Sequence, residues 1–235
     1  MQIPVAYGNA VTLVGAAPFH AGALAAARAI APVLVAADGG ADTLAARGVL
    51  PDLVVGDLDS LADPALWRSG PSRLLPIAEQ DTTDFEKCLY ATRAPFYLAT
   101  GFTGGRLDHT LAVLHALLRY PDKTVIVLGE DDALALMPPG QRVSLALGEG
   151  ARVSFFPLLP SRGTHARGLK WSVEGLDLAP GSAIATSNRA EAALVEAAFD
   201  RPGVFVLLER AALPALVEAL VPGWKQVARP GMAQA

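Results

Sequence analysis

The stretch VLVAADGGADTLAARGVLPDLVVGDLDS, Val33 to Ser60, reads as strand, helix, strand. An apolar run, Val33–Ala37, leads without polar alternation into Asp38-Gly39-Gly40. A helical pattern, Ala41–Arg47, closes at Gly48 as a C-cap with Pro51 beyond. A second apolar run, Leu53–Gly56, ends on Asp57-Leu-Asp59-Ser60. Runs of Val and Leu without alternation suit strands covered on both faces, and such strands separated by a helix lie parallel in one sheet.

The alternation continues on both sides of this unit. Strand-length runs occur at Val11–Gly15, Arg73–Ala78, Phe96–Thr100 and Thr124–Gly129, and helical patterns at Pro64–Arg68, Asp84–Arg93 and Leu107–Arg119. Residues 1–131 are therefore expected to form an α/β domain on a parallel sheet. After about residue 132 the helical period gives way to short runs broken by Gly and Pro: Ala133–Pro138, Arg142–Leu147, Arg152–Phe156, Ser182–Thr186, Ala192–Phe199 and Val204–Leu208. These predict a compact antiparallel domain over 132–235. Asp200-Arg-Pro-Gly203 is expected to close a hairpin between the last two runs. Ala211–Leu220 reads as a short helix whose start Pro214 restricts, with loose structure beyond Gly223.

Composition narrows the function classes. The chain has 235 residues, 52% hydrophobic and 18% charged, and a net charge of −4. That is too apolar for a disordered chain, and without a basic run it offers no electrostatic footprint for nucleic acid. No apolar window approaches the roughly 18 residues of a membrane span. The first basic residue is Arg28, so the basic region that opens a signal peptide is missing, and a cytoplasmic protein is expected. Cys88, the single cysteine, reads as a packed side chain. His20 and His165 have no carboxylate or Cys neighbours at ligand spacing, which argues against zinc.

Three acidic clusters stand where apolar runs end: Asp38-Gly-Gly, Asp57-Leu-Asp59 and Asp81-Thr-Thr-Asp84. A parallel sheet gathers such loops at the carboxyl ends of its strands. Carboxylates crowded there disfavour one another's ionisation unless a cation lies between them, and the hard oxygen set suits a divalent ion carrying a polyphosphate. If the strand geometry continues past Gly56, Asp57 and Asp59 point to the same side. Asp38-Gly39-Gly40 serves either as an N-cap with turn glycines or as a phosphate cradle. Thr83 and Glu86 have capping-box spacing. Asp81 is free to reach the crevice, and Lys87 can meet a phosphate or a nearby Asp. Gly104-Gly105-Arg106-Leu107-Asp108-His109 places an Arg suited to bidentate phosphate contacts before a helix. His109 is either a phosphate or substrate contact or a structural imidazole. Neither a P-loop nor a Gly-x-Gly-x-x-Gly after the first strand is present.

The strings Ala37-Asp-Gly-Gly-Ala41, Pro51-Asp-Leu-Val-Val-Gly-Asp-Leu-Asp-Ser60, Asp81-Thr-Thr-Asp-Phe-Glu-Lys87 and Gly104-Gly-Arg-Leu-Asp-His-Thr110 resemble the thiamine pyrophosphokinase family in order and spacing. Gly168-Leu-Lys-Trp171 and Thr186-Ser-Asn188 resemble its C-terminal motifs. The resemblance implies a Rossmann-like N-terminal domain (1–131) that binds ATP and metal, and a C-terminal β-sandwich (132–235) that binds thiamine and dimerises. It implies a homodimer with the active site between subunits. It also implies transfer of a diphosphoryl group from Mg-ATP to the thiamine hydroxyl, with release of AMP. Carried over, Asp57, Asp59 and Asp81 hold Mg²⁺, and with Asp108 they form the catalytic set. Asp38, Gly39, Gly40, Asp84, Lys87, Arg106 and His109 surround ATP. Asp108, Trp171, Ser187 and Asn188 face thiamine, Ser187 and Asn188 from the neighbouring subunit. A carboxylate, Asp59 or Asp108, takes the hydroxyl proton. Two other readings remain beside this one: a pyrophosphokinase for a pterin or another heterocyclic alcohol, and a non-catalytic sensor of nucleotide or thiamine.

Overall fold

The computed structural model describes residues 4–226. They divide into two compact units, residues 4–130 with Lys225 and Gln226, and Asp131–Trp224. The first unit runs β1 (Val5–Ala6), β2 (Val11–Val14), α1 (Ala21–Ile30), β3 (Val33–Ala37), α2 (Gly40–Ala45), β4 (Leu53–Gly56), α3 (Pro64–Ser69), β5 (Arg73–Pro76), α4 (Asp84–Ala91), β6 (Thr92–Arg93), β7 (Tyr97–Thr100), α5 (Leu107–Arg119) and β8 (Val125–Leu128). Strands β2 to β5 with β7 and β8 pair in parallel in the order β5-β4-β3-β2-β7-β8. Every residue of β2, β4, β7 and β8 is buried, as their unbroken apolar sequences require. Helix α1 has no counterpart in the sequence reading. His20 caps it, its Nδ1 accepting from the Gly22 N–H at 3.0 Å.

The strand order determines where a ligand can enter. From β2 the chain winds outward to β5, then returns to the other side of β2 with β7 and β8. The loops after β2 and β7 therefore part in opposite directions and leave a crevice outside the carboxyl ends of those strands. Gly15 follows β2 and Gly101 follows β7. A Cβ on either would collide with the other's carbonyl oxygen, so only paired glycines let the backbones meet here. Gly101 also sits at φ 78°, a conformation that glycine alone adopts without strain.

The second unit contains β9 (Asp132–Leu136), β10 (Val143–Ala146), β11 (Arg152–Pro157), β12 (Ser161–Arg167), β13 (Asp177–Leu178), β14 (Ala185–Arg189), β15 (Leu194–Phe199), β16 (Val204–Glu209) and α6 (Leu213–Leu220). Its antiparallel ladders run β14-β11-β16-β9 and β10-β15-β12-β13. The rings of Phe155 on β11 and Phe199 on β15, both fully buried, meet at 5.3 Å. Pro214 stands in the first turn of α6, the one place in a helix where its missing N–H does no harm. The expected hairpin at Asp200–Gly203 does not form, because β15 and β16 belong to different ladders. The Asp200 carboxylate instead accepts from Ser161 Oγ at 3.0 Å and the Arg162 N–H at 2.7 Å, tying the connection to β12. Of the segment expected to be loose, Trp224–Gln226 form a 3₁₀ turn, and residues 227–235 lie outside the described residues. Among the described residues no helix is long and apolar enough to cross a membrane.

Candidate active site

A cavity of about 340 Å³ opens at the strand-order reversal of the first unit. Its walls come from the loop after β2 (Gly15–Ala17), Asp38 and Gly39 after β3, Asp57 and Ser60 after β4, the approach to α4, and His109 on α5. The loops in which the sequence placed its acidic clusters therefore share one space.

Asp38 lies at the centre. The chain leaves β3 through a left-handed residue (φ 43°), which Asp tolerates better than most side chains. Gly56 permits this, since a Cβ there would stand 2.8 Å from the Asp38 Cβ. Asp38 is 2% exposed. Its Oδ2 accepts from the Ser60 N–H at 3.2 Å, while its Oδ1 is buried without a hydrogen-bond partner. Burial, opposed by the Ser60 bonds and reinforced by Asp84 and Asp57, raises its pKa to about 6. One carboxylate oxygen each from Asp38, Asp57 and Asp59 lies within 4.8 Å of the other two.

Asp57 and Asp59 arrive by a different route from the one the sequence suggested. The strand ends at Gly56, and Leu58 takes φ 67° with its side chain buried. A left-handed residue with a branched side chain costs on the order of 1–2 kcal/mol. A turn, not the pleat of a continuing strand, thus brings the two carboxylates together. Gln80 Nε2 donates to Asp57 Oδ2 at 2.6 Å, the main reason the Asp57 pKa falls, with the Asp59 N–H and Lys87 assisting. Lys87, 2% exposed, holds its Nζ 3.1 Å from Asp84 Oδ1 and 3.6 Å from Asp57 Oδ2. Burial opposes its charge, but the Asp84 bond and the surrounding carboxylates outweigh burial and raise its pKa. Asp84 is raised, by burial first and then by repulsion from Asp57 and Asp59 against the pull of Lys87.

The remaining expected residues divide. Thr83 and Glu86 form the capping box of α4, and Glu86 also meets Arg119 at 2.7 Å. Asp81 is exposed and outside the three-carboxylate cluster; its backbone N–H donates to Glu79. Gly40 is buried with the Val14 carbonyl where its Cβ would be, so it serves packing between α2 and β2. Arg106 and Asp108, both largely exposed, form a bidentate pair away from the cavity wall, and that pairing holds Asp108 below the usual carboxylate range. Gln80 and Glu79 escaped the sequence reading. Gln80 immediately precedes Asp81, the first residue of a motif already singled out, which was the available signal.

In the second unit, Ser187 (φ 56°) is exposed and its N–H donates to Ser154 Oγ at 2.9 Å. Asn188 faces inward, 3% exposed. Its Nδ2 donates to the Trp171 carbonyl at 2.6 Å, and its Oδ1 accepts from the N–H groups of Trp171 at 3.2 Å and Arg189 at 2.8 Å. The side chain expected to meet a ligand is therefore spent on tying Gly168–Trp171 to β14. Trp171 itself is 55% exposed, with Lys170 Nζ 4.5 Å from its ring centroid.

The three carboxylates fit a divalent cation: hard oxygen ligands, one with a buried oxygen that no protein donor satisfies. Asp38, Asp57 and Asp59 would hold the ion.

The profile of the thiamin pyrophosphokinase catalytic domain matches residues 26–128, and that of the family's vitamin B1 binding domain matches 141–202, together most of the chain. Thiamine pyrophosphokinase 2 of Arabidopsis thaliana is 33% identical over 59% of this chain and 58% of its own length, and thiamine pyrophosphokinase 1 of the same plant is 33% identical over 63% and 61%. The matched region thus spans about three fifths of these relatives. Among solved structures, thiamin pyrophosphokinase from Candida albicans superposes with a TM-score of 0.73 at 16% identity over 88% of this chain and 93% of that one, a likeness of fold. The enzyme from Geobacillus thermodenitrificans gives 0.66 at 25% identity over 85% and 96%.

Proposed function

The chain belongs to the thiamin pyrophosphokinase family, and from that premise we propose that it transfers a diphosphoryl group from Mg-ATP to the hydroxyl of thiamine, giving thiamine diphosphate and AMP. One observation carries the reading: Asp38, Asp57 and Asp59 converge at the strand-order reversal, with Asp38 Oδ1 buried and unsatisfied. Mg²⁺ held there would offset the carboxylates and the charge of the polyphosphate, and would polarise the phosphoryl oxygens.

The chain's own residues supply the rest. Gly15 and Gly101 let the two loop backbones meet at the wall of the cavity, so a polyphosphate can lie against backbone there. Lys87 is a fixed positive charge held by Asp84 and Asp57, directed at the phosphates without searching. Arg106 is paired with Asp108 only at the surface, where an ion pair adds little and exchanges readily. It can transfer its two-pronged contact to the phosphates, and Asp108 is then released to compete with Asp59 for the thiamine proton. Thiamine is assigned to the second unit, with Trp171 and Ser187 as its contacts and Asn188 as their anchor. We read the two units as the Rossmann-like and β-sandwich domains of the family, assembled as a homodimer in which a second copy completes the site, in the cytoplasm.

The test is release of AMP from Mg-ATP with and without thiamine. Thiamine-dependent AMP, lost in Asp57→Asn while the fold is retained, supports the proposal. AMP release that responds to a hydroxymethylpterin instead of thiamine favours a different acceptor. Binding of either substrate with no AMP under any condition identifies a sensor.

A further inference from the structure

The turn between β5 and α4 has its own organising residue. The Glu79 carboxylate collects four donors. Its Oε2 accepts from the N–H groups of Asp81 at 2.7 Å and Thr82 at 3.0 Å, and its Oε1 accepts from the hydroxyls of Thr82 and, at 2.7 Å, Tyr90. Tyr90 belongs to the body of α4. Glu79 thus clamps the turn to the helix that also carries Lys87 and Asp84. Gln80 is the residue next to it, and Gln80 Nε2 reaches 2.6 Å from Asp57 Oδ2.

We propose that Glu79 is a positioning residue for the phosphate-transfer site, locking the Gln80 turn so that the Gln80 amide aims the Asp57 carboxylate into the three-carboxylate cluster. The inference rests on the reading of that cluster as the metal site. Chemistry accounts for the choice of residue. A carboxylate is acceptor-only and takes all four donors at once, whereas a glutamine has a single acceptor oxygen: its NH₂ group would either face the two backbone N–H groups or reverse the bonds of the Thr82 and Tyr90 hydroxyls, and the negative charge would be lost. Gln80 cannot hold its own turn, because its amide is already committed to Asp57. Without the clamp, two backbone N–H groups of the turn lose their shared acceptor, the Gln80 side chain is no longer aimed, and Asp57 keeps Lys87 as its main partner. Groups that orient metal ligands in this way typically change metal affinity or activity by roughly 10- to 100-fold when removed.

The experiment is a double-mutant cycle on the full chain with Glu79→Gln, Gln80→Ala and the pair. It has two readouts: Mn²⁺ binding followed by electron paramagnetic resonance, and the Mg²⁺ concentration for half-maximal AMP release. Glu79→Gln should weaken Mn²⁺ binding and raise the Mg²⁺ requirement by roughly 10- to 100-fold, with the thiamine KM unchanged. In the Gln80→Ala background the same substitution should add less than about threefold, because its route is already cut. Full multiplication of the two effects, or a Glu79→Gln protein that binds Mn²⁺ like the parent, overturns the proposal. Tyr90→Phe, which removes one of the four donors, tests the clamp if Glu79→Gln does not fold, and parent-like Mn²⁺ binding there overturns it too. A parent protein that releases no AMP yet loses Mn²⁺ affinity on Glu79→Gln contradicts the enzymatic reading and leaves the positioning role standing.

Discussion

Replacing Asn188 with alanine removes three hydrogen bonds from a position that is 3% exposed: one from Nδ2 to the Trp171 carbonyl, and two accepted by Oδ1 from the Trp171 and Arg189 N–H groups. Each such bond contributes about 1 kcal/mol net, so the loss is about 3 kcal/mol. For a chain of 235 residues, 1 kcal/mol moves the melting temperature by about 2–4 °C, which puts Asn188→Ala about 6–12 °C below the parent. Ser187→Ala is the internal control. Its side chain is exposed, and the bond to Ser154 uses its backbone N–H, which alanine keeps; surface changes of this kind stay within about 0.5 kcal/mol. Differential scanning calorimetry measures both shifts, and thiamine KM values taken well below the transitions separate stability from binding. An Asn188→Ala protein that melts with the parent while its thiamine KM alone rises would overturn this anchoring role, since Asn188 would then be spending its bonds on the ligand.

Gly101→Ala forces a Cβ onto the Gly15 carbonyl at φ 78°. Strain and overpacking together should exceed about 2 kcal/mol, read as a lower urea midpoint, and an unchanged midpoint would show that the two loops can separate. On the proposed reading Asp38 holds Mg²⁺ as its carboxylate, and burial raises that group's pKa to about 6. A proton therefore competes with the ion once the pH falls through about 6, and affinity should drop roughly tenfold per pH unit below that point, with proton release on binding. Calorimetric titration between pH 5 and 8 in buffers of different ionisation enthalpy checks this, and a flat affinity across that range counts against Asp38 as a ligand.

The parallel sheet was legible because its strands are unbroken apolar runs: Val33–Ala37 and Leu53–Gly56 appear at the boundaries the sequence suggests. Helix α1 was not, because AGALAAARAI puts alanine on its exposed face (Ala25, Ala26, Ala29) as well as on its buried one (Ala23, Ala27), so residue polarity does not mark the helical period. Strand β12 has the sequence SRGTHAR and is recognised only by the partners on either side of it. The acidic loops were legible as residue types, but their geometry was not. Nothing local reveals that Leu58 turns left-handed or that Asp38 loses its water. Asn188 looked like a ligand contact because a lone polar residue at a strand end gives no sign of the chain that will fold over it, here the backbone of Trp171.

The most direct test of the account follows the phosphorus atoms. With ATP labelled at the β position, Mg²⁺ and thiamine, attack at the β-phosphorus moves the label into thiamine diphosphate and leaves unlabelled AMP in equal amount. Diphosphoryl transfer to thiamine predicts that outcome. Label retained in ADP beside thiamine monophosphate, or label released as free diphosphate at a rate indifferent to thiamine, would contradict it.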